Sequence, residues 1–221
     1  MPGDDPAAVY RSAIASPVRT DQDRGTDAAR RPAEFLPFAQ AKPGMQVLDV
    51  AAGGGTTSQL LALVVGPTGA VYAQNTQPRP VFAERLKANP QANLIPVQRP
   101  FDDPVPEQAP RFDLITIIQN YHDICYLPVD RAKMNARLYA ALKPGGRLVV
   151  VDHSARSGTG VADTKTLHRV DEAVVRTELQ QAGFRLEAEG DYLRNPADPR
   201  DQAAYGSKIP TDKFALRFVK P

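Results

Sequence analysis

The segment Val47-Leu48-Asp49-Val50-Ala51-Ala52-Gly53-Gly54-Gly55-Thr56-Thr57 constrains the fold of this chain more than any other stretch. An apolar run ends near an acidic residue, passes through a run of small residues and enters a helix-like pattern from Ser58 to Val64. That order reads as a buried strand, a tight turn and a helix whose first N–H groups lack partners within the helix. Small residues let the backbone approach a ligand closely, and the helix N-terminus suits an anionic group. A dinucleotide site would need G-x-G-x-x-G. Here the spacing reads D-x-A-x-G-x-G. Any tight strand-to-helix turn needs small residues, so the loop alone does not name its ligand.

The rest of the chain carries a matching rhythm. Short runs rich in Val, Ile, Leu or aromatic residues, with breakers at their ends, predict strands at 46–50, 70–75, 93–98, 112–119, 147–152, 184–190 and 213–219. Helical segments are expected at 56–65, 79–89, 129–142 and 167–182. The Pro-rich link 100–110 leaves a short helix or none between the third and fourth strands. Alternating strands and helices predict a mostly parallel sheet with right-handed crossovers. The last two strands, joined by the polar loop 191–212, predict an antiparallel pair at the sheet edge. Asp27 to Gln40 reads as one helix capped by Asp27. The expected division is an N-terminal arm and helix over 1–40 and a single catalytic domain over 41–221.

Composition narrows the function classes. With 27 Lys and Arg against 25 Asp and Glu, the formal charge of +2 gives no electrostatic case for nucleic acid. The early arginines (Arg11, Arg19, Arg24, Arg30, Arg31) alternate with acidic residues and read as a solvated arm or lid. One cysteine, Cys125, excludes an internal disulfide and a thiolate cluster. No apolar run is long enough to span a membrane. Met1 to Tyr10 lacks the layout of a secretory leader, so a cytoplasmic location is expected, although a removed leader would read the same way. Oligomeric state is not legible.

The glycine loop resembles motif I of the class I S-adenosylmethionine-dependent methyltransferases, [D/E]-x-G-x-G-x-G, with Ala51 at the first glycine position. A second signature, Ala141-Leu142-Lys143-Pro144-Gly145-Gly146-Arg147-Leu148, resembles the turn that leads into the fifth strand of that family. Together they cover about residues 40–221. They imply the Rossmann-like methyltransferase fold, an α/β architecture with sheet order 3-2-1-4-5-7-6. Three further motifs, Tyr121-His122-Asp123, Asp152-His153-Ser154 and Leu167-His168-Arg169-Val170-Asp171-Glu172, resemble a bacterial group of predicted methyltransferases.

The resemblance implies roles position by position. Asp49 would orient the loop and the methionine ammonium of S-adenosylmethionine, and Ala51, Gly53 and Gly55 would carry the backbone past the cofactor. Asn75 stands where the family usually has an acidic residue on the ribose hydroxyls. Lacking charge, it would hold them less strongly, because charge-assisted bonds are stronger than neutral ones. Asp102, with Asp103 as second choice, would face the adenine, and Gln119 and Asn120 the methionine part or the substrate.

Of the three histidines, His122 and His153 fall just past the expected ends of the fourth and fifth strands, on the ligand edge of the sheet, and His168 lies near the start of the helix that follows, close enough to join them. Methyl transfer is an in-line displacement that needs an aligned, deprotonated acceptor. A histidine base suits a hydroxyl. The primary reading takes His122 as base with Asp123 orienting it, His153 as the competing base, and His168 with Asp171 and Glu172 as support. It expects a small-molecule acceptor, oxygen favoured, and assigns no metal. Two alternatives stay open: a metal-dependent enzyme, with the histidines and Asp123 or Asp152 as ligands, and a non-catalytic binding protein on the same fold.

Overall fold

Alternation decides which side of each strand is buried where. In β1 (Gln46–Val50) Val47 faces one side of the sheet, Leu48 and Val50 the other. The same alternation sends Leu114 one way and Ile115 and Ile117 the other in β4 (Phe112–Ile118), and divides Val149 from Leu148 and Val150 in β5 (Leu142–His153). Both faces therefore carry a hydrophobic core, as a sheet covered by helices on each side requires. The computed structural model describes residues 5–221.

With β2 (Ala70–Asn75), β3 (Leu94–Gln98), β6 (Arg185–Gly190) and β7 (Lys213–Val219), the sheet has the order β3-β2-β1-β4-β5-β7-β6. The first five strands run parallel, while β7 pairs antiparallel with both β5 and β6. This is the order and sense expected from the sequence. Helix α5 (Thr56–Val65) follows the glycine loop, α6 (Pro80–Ala88) links β2 to β3, and α8 (Arg131–Ala141) precedes β5. The chain between β3 and β4 carries no helix.

The N-terminal region departs from the expected arm. It forms α1 (Pro6–Ala15), α2 (Asp21–Gly25), α3 (Asp27–Arg30) and α4 (Pro32–Ala39). The single helix expected over 27–40 breaks at Arg31, whose φ of 49° is left-handed, and Pro32 starts the next helix. Asp27 caps nothing; its Oδ2 accepts from the Arg19 guanidinium at 2.9 Å. Ala13, Phe35, Leu36 and Ala39 are buried in one cluster with Leu61 and Val65 of α5, so helices α1 and α4 share the core of the sheet. Arg19 is 3% exposed, which overturns its place in a solvated arm.

Two further departures shape the ligand edge. A short helix, α7 (Tyr121–Tyr126), follows β4 directly. The last helix, α9 (Glu172–Gln181), starts five residues later than expected, because Asp171 caps it by accepting the Ala173 N–H at 3.0 Å. Upstream, His168 is left-handed with φ 53°, and Val170 bridges to Ser154 in parallel. Among the described residues no helix is long and apolar enough to cross a membrane.

Candidate active site

The loop after β1 is held open by its neighbours. Ala51, Gly53 and Gly55 all have positive φ, at 57°, 57° and 85°. Gln74 Oε1 accepts the Ala51 N–H at 2.9 Å, and the Asn120 amide donates to the Ala51 carbonyl at 3.1 Å. A Cβ at Gly53 would meet nothing within 4 Å, so its backbone faces open space. A Cβ at Gly55 would collide with the Phe82 ring. Gly55 is thus required by the packing of α6 and does not line the cavity beside the loop.

That cavity is bounded by Arg30, Asp49, Gly53, Thr57, Ile118 and Asn120 among others. Asp49 is buried, and its two oxygens accept from Ser58 Oγ at 2.5 Å and Thr116 Oγ1 at 2.7 Å. Burial pushes its carboxyl up to about 6, against the opposing pull of the two hydroxyls and Arg30. It is therefore ionised at neutral pH. Arg30 reaches in from α3, its Nη1 donating to Thr57 Oγ1 at 3.4 Å. No carboxylate among the described residues forms an ion pair with it. A half-buried cation and a buried anion thus face one cavity, which fits the carboxylate and ammonium of a methionine moiety. The sequence reading missed Arg30, which was visible only as one member of an arginine-rich segment.

The other half of the cofactor would find less. Both polar ends of Asn75 are spent on one residue: Oδ1 accepts the Gly53 N–H at 2.8 Å and Nδ2 donates to the Gly53 carbonyl at 3.2 Å. Asn75 clamps the loop, and no carboxylate replaces it at the end of β2. Asp102 borders a surface groove with Thr76, Phe101 and Val129, and pairs with Lys133 Nζ at 3.0 Å. Asp103 is engaged by Arg99 and Arg137. Gln119, with φ 58°, borders a second, narrow cavity together with Arg30, Phe35 and Tyr192. The cavity at the end of β1 thus carries charge of both signs, and the end of β2 lacks a carboxylate.

Docking of the N-terminal helices reinforces the loop. Asp23 of α2 accepts from Arg85 at 2.7 and 2.8 Å and from Thr56 Oγ1 at 2.8 Å, and Arg85 Nε donates to the Gly54 carbonyl at 2.7 Å.

The three histidines converge at the C-terminal ends of β4 and β5. The His122 ring centroid lies 5.9 Å from that of His153 and 5.6 Å from that of His168. Tyr205, from the loop 191–212, stands 5.0 to 6.2 Å from all three rings. No sequence signal marked it. His122 is fully buried on α7; its Nδ1 is 2.7 Å from Asp152 Oδ1 and its Nε2 is 3.1 Å from Asp123 Oδ1. Burial disfavours its charge, but the carboxylates of Asp123 and Asp152 outweigh burial and raise its pKa to about 9. His153 Nδ1 meets Thr211 Oγ1 at 2.8 Å, and burial lowers its pKa to about 4, against the pull of Asp152. His168 Nδ1 lies 3.5 Å from Asp123 Oδ1.

The expected support from Asp171 and Glu172 is not what their side chains provide. Asp171 caps α9 and accepts the Gly158 N–H, while Glu172 binds Arg176 and Arg194. Tyr121 is core, its hydroxyl donating to Glu178 at 2.6 Å. Burial raises the Cys125 thiol to about 12, which leaves it inert as a nucleophile.

Sheet order, glycine loop and edge cavity together define the fold of the class I S-adenosylmethionine-dependent methyltransferases. A family model described as a methyltransferase domain matches residues 48–150. The chain is 30% identical over 125 residues to the demethylmenaquinone methyltransferase of Symbiobacterium thermophilum, covering 55% of this chain and 47% of that protein. It is 27% identical over 150 residues to a ubiquinone/menaquinone biosynthesis C-methyltransferase of Cupriavidus metallidurans, covering 67% of this chain and 60% of that one. The chain thus spans about half the length of such relatives. A methyltransferase structure from Aquifex aeolicus superimposes with a TM-score of 0.67 at 19% identity, over 98% of this chain and 99% of that one. Fibrillarin from Aeropyrum pernix, with S-adenosylmethionine natively bound, gives a TM-score of 0.53 at 19% identity, over 81% and 68%. These matches support the methyltransferase fold.

Proposed function

We propose that the protein transfers a methyl group from S-adenosylmethionine to a small hydroxylated aromatic acceptor. The observation that carries this reading is the cavity at the end of β1, where Arg30 and Asp49 present opposite charges beside an open glycine backbone. Bound S-adenosylmethionine supplies an electrophilic methyl group on a sulfonium that leaves as a neutral thioether. Arg30 and Asp49 hold its charged end, and Gly53 admits it against the backbone.

The acceptor side is the aromatic cluster of His122, His153, His168 and Tyr205. The relatives named as quinone-biosynthesis methyltransferases favour a ring acceptor. Loss of a ring hydroxyl proton raises electron density on both the oxygen and the neighbouring ring carbons, so one base serves O- or C-methylation. A base must be neutral to accept a proton. His122, held charged between two carboxylates, is poorly suited, and its role is to fix Asp123 and the cluster. We assign the base to His153, which burial keeps neutral and whose Nε2 is buried without a partner.

The test is turnover of S-adenosylmethionine to S-adenosylhomocysteine with a panel of phenols and hydroquinones. The expected result is turnover that falls about 100-fold in His153→Gln, in line with loss of a general base, with cofactor affinity unchanged. Turnover with wild-type activity in His153→Gln would remove the base from this position. No turnover with any ring acceptor would remove the acceptor class.

A further inference from the structure

Three buried imidazole nitrogens in one cluster make no well-aligned hydrogen bond: His153 Nε2 has no partner, and His122 Nε2 and His168 Nδ1 have only the Asp123 carboxylate beside them. An unpaired buried polar atom is costly, and several of them converging point to an unrepresented ligand. Two of the three, with a carboxylate oxygen of Asp123, lie within 4.8 Å of one another. Asp123 Oδ1 is 3.1 Å from His122 Nε2 and 3.5 Å from His168 Nδ1. Nitrogen and oxygen ligands about 2.1 Å from a tetrahedral ion stand about 3.4 Å apart. The two separations to Asp123 are thus already close to metal-ligand spacing, and the two nitrogens lie within 4.8 Å of each other.

We propose that His122 Nε2, His168 Nδ1 and Asp123 form a binding site for a divalent ion of the zinc class. The surrounding contacts favour this assignment. Asp152 is fully buried, accepts the His122 backbone N–H at 2.8 Å and lies 2.7 Å from His122 Nδ1. The carboxylate on Nδ1 keeps a ring proton there, and an ion would take the place of the second proton, which the metal-free ring holds on Nε2 towards Asp123, giving the arrangement of carboxylate–histidine–metal sites. His168 is turned into the cluster by its left-handed backbone, and Arg169 beside it is anchored by Asp198 Oδ2 at 2.8 Å and by the Ser154 carbonyl at 3.0 Å.

Two histidines and one carboxylate leave coordination positions for an exogenous ligand, as in catalytic zinc sites and in facial-triad iron sites. His153 remains outside the ligand set and free to take a proton. A cation here lowers the pKa of an acceptor hydroxyl. That use rests on the proposed methyl transfer, while the site itself does not. The primary sequence reading assigned no metal and kept a site on the three histidines with Asp123 or Asp152 as an alternative; the structure narrows that set to residues 122, 123 and 168.

The experiment is calorimetric titration of the chelator-treated protein with ZnCl2 and CoCl2, with visible absorption read for the cobalt form. The wild type should bind one equivalent with a tetrahedral-type cobalt spectrum. His168→Asn should weaken binding more than about 10-fold, the scale on which even supporting residues of metal sites matter. Asn tolerates the left-handed backbone at 168, so this variant should fold. Asp123→Asn should weaken binding too and change the cobalt spectrum. No saturable binding in the wild type, or binding unaltered by both substitutions, would overturn the proposal. S-adenosylhomocysteine titrated into the metal-free protein separates failure of this site from failure of the methyltransferase reading.

Discussion

Position 75 shows how one atom changes a site. A carboxylate there could accept two ribose hydroxyls, whereas the amide both accepts from and donates to Gly53. Asn75→Asp keeps the first bond and sets a charged oxygen against the Gly53 carbonyl in place of the second. Loss of that bond should lower stability by about 1–2 kcal/mol. Affinity for S-adenosylhomocysteine should fall, although the sequence alone suggests that Asp would hold ribose better. Urea denaturation and calorimetry check the two halves, and tighter binding would return Asn75 to the ribose role. Ala51 carries a related cost: its φ of 57° lies where a non-glycine residue is disfavoured by about 1–2 kcal/mol. The Gln74 and Asn120 bonds to its backbone hold it there. The loop was legible from small residues at fixed spacing. The clamp was not, because it depends on a second strand placing Asn75 beside Gly53.

Among the elements, strands read well because alternating apolar residues and flanking breakers are local signals. β1, β2, β7 and α5 occupy the spans expected from the sequence. Errors fell where tertiary contacts override local pattern. Leu167 to Val170 looks helical, yet Arg169 is drawn into a fully buried pairing with Asp198. That ion pair ties the His168 segment to the loop 191–212, which Arg194 and Arg200 further bind through Asp212. Removing one partner of a buried pair costs about 3–5 kcal/mol, because the other charge stays buried. Arg169→Met should therefore lower unfolding free energy by about 3 kcal/mol, read by chemical denaturation. An effect below about 1 kcal/mol would place the pair among exposed ones and free the loop to act as a lid.

For the whole molecule, the strand order brings residues far apart in sequence to one edge. β1 and β4 are neighbours, as are β4 and β5, so the glycine loop, α7 and the Asp152-His153 pair end together. Ligands of open α/β sheets bind at that edge. The N-terminal helices close it from the other side and bring Arg30 to the cavity, a role that a polar, weakly patterned segment does not announce. The central claim is that this edge holds S-adenosylmethionine by its charged end. Calorimetric titration with S-adenosylmethionine and S-adenosylhomocysteine, in wild type and Arg30→Ala, tests it most directly. The account predicts saturable one-to-one binding of both by the wild type, weakened at least about 10-fold in the variant, the equivalent of about 1.4 kcal/mol. No binding of either by the wild type would contradict it and leave the methyltransferase fold without its cofactor.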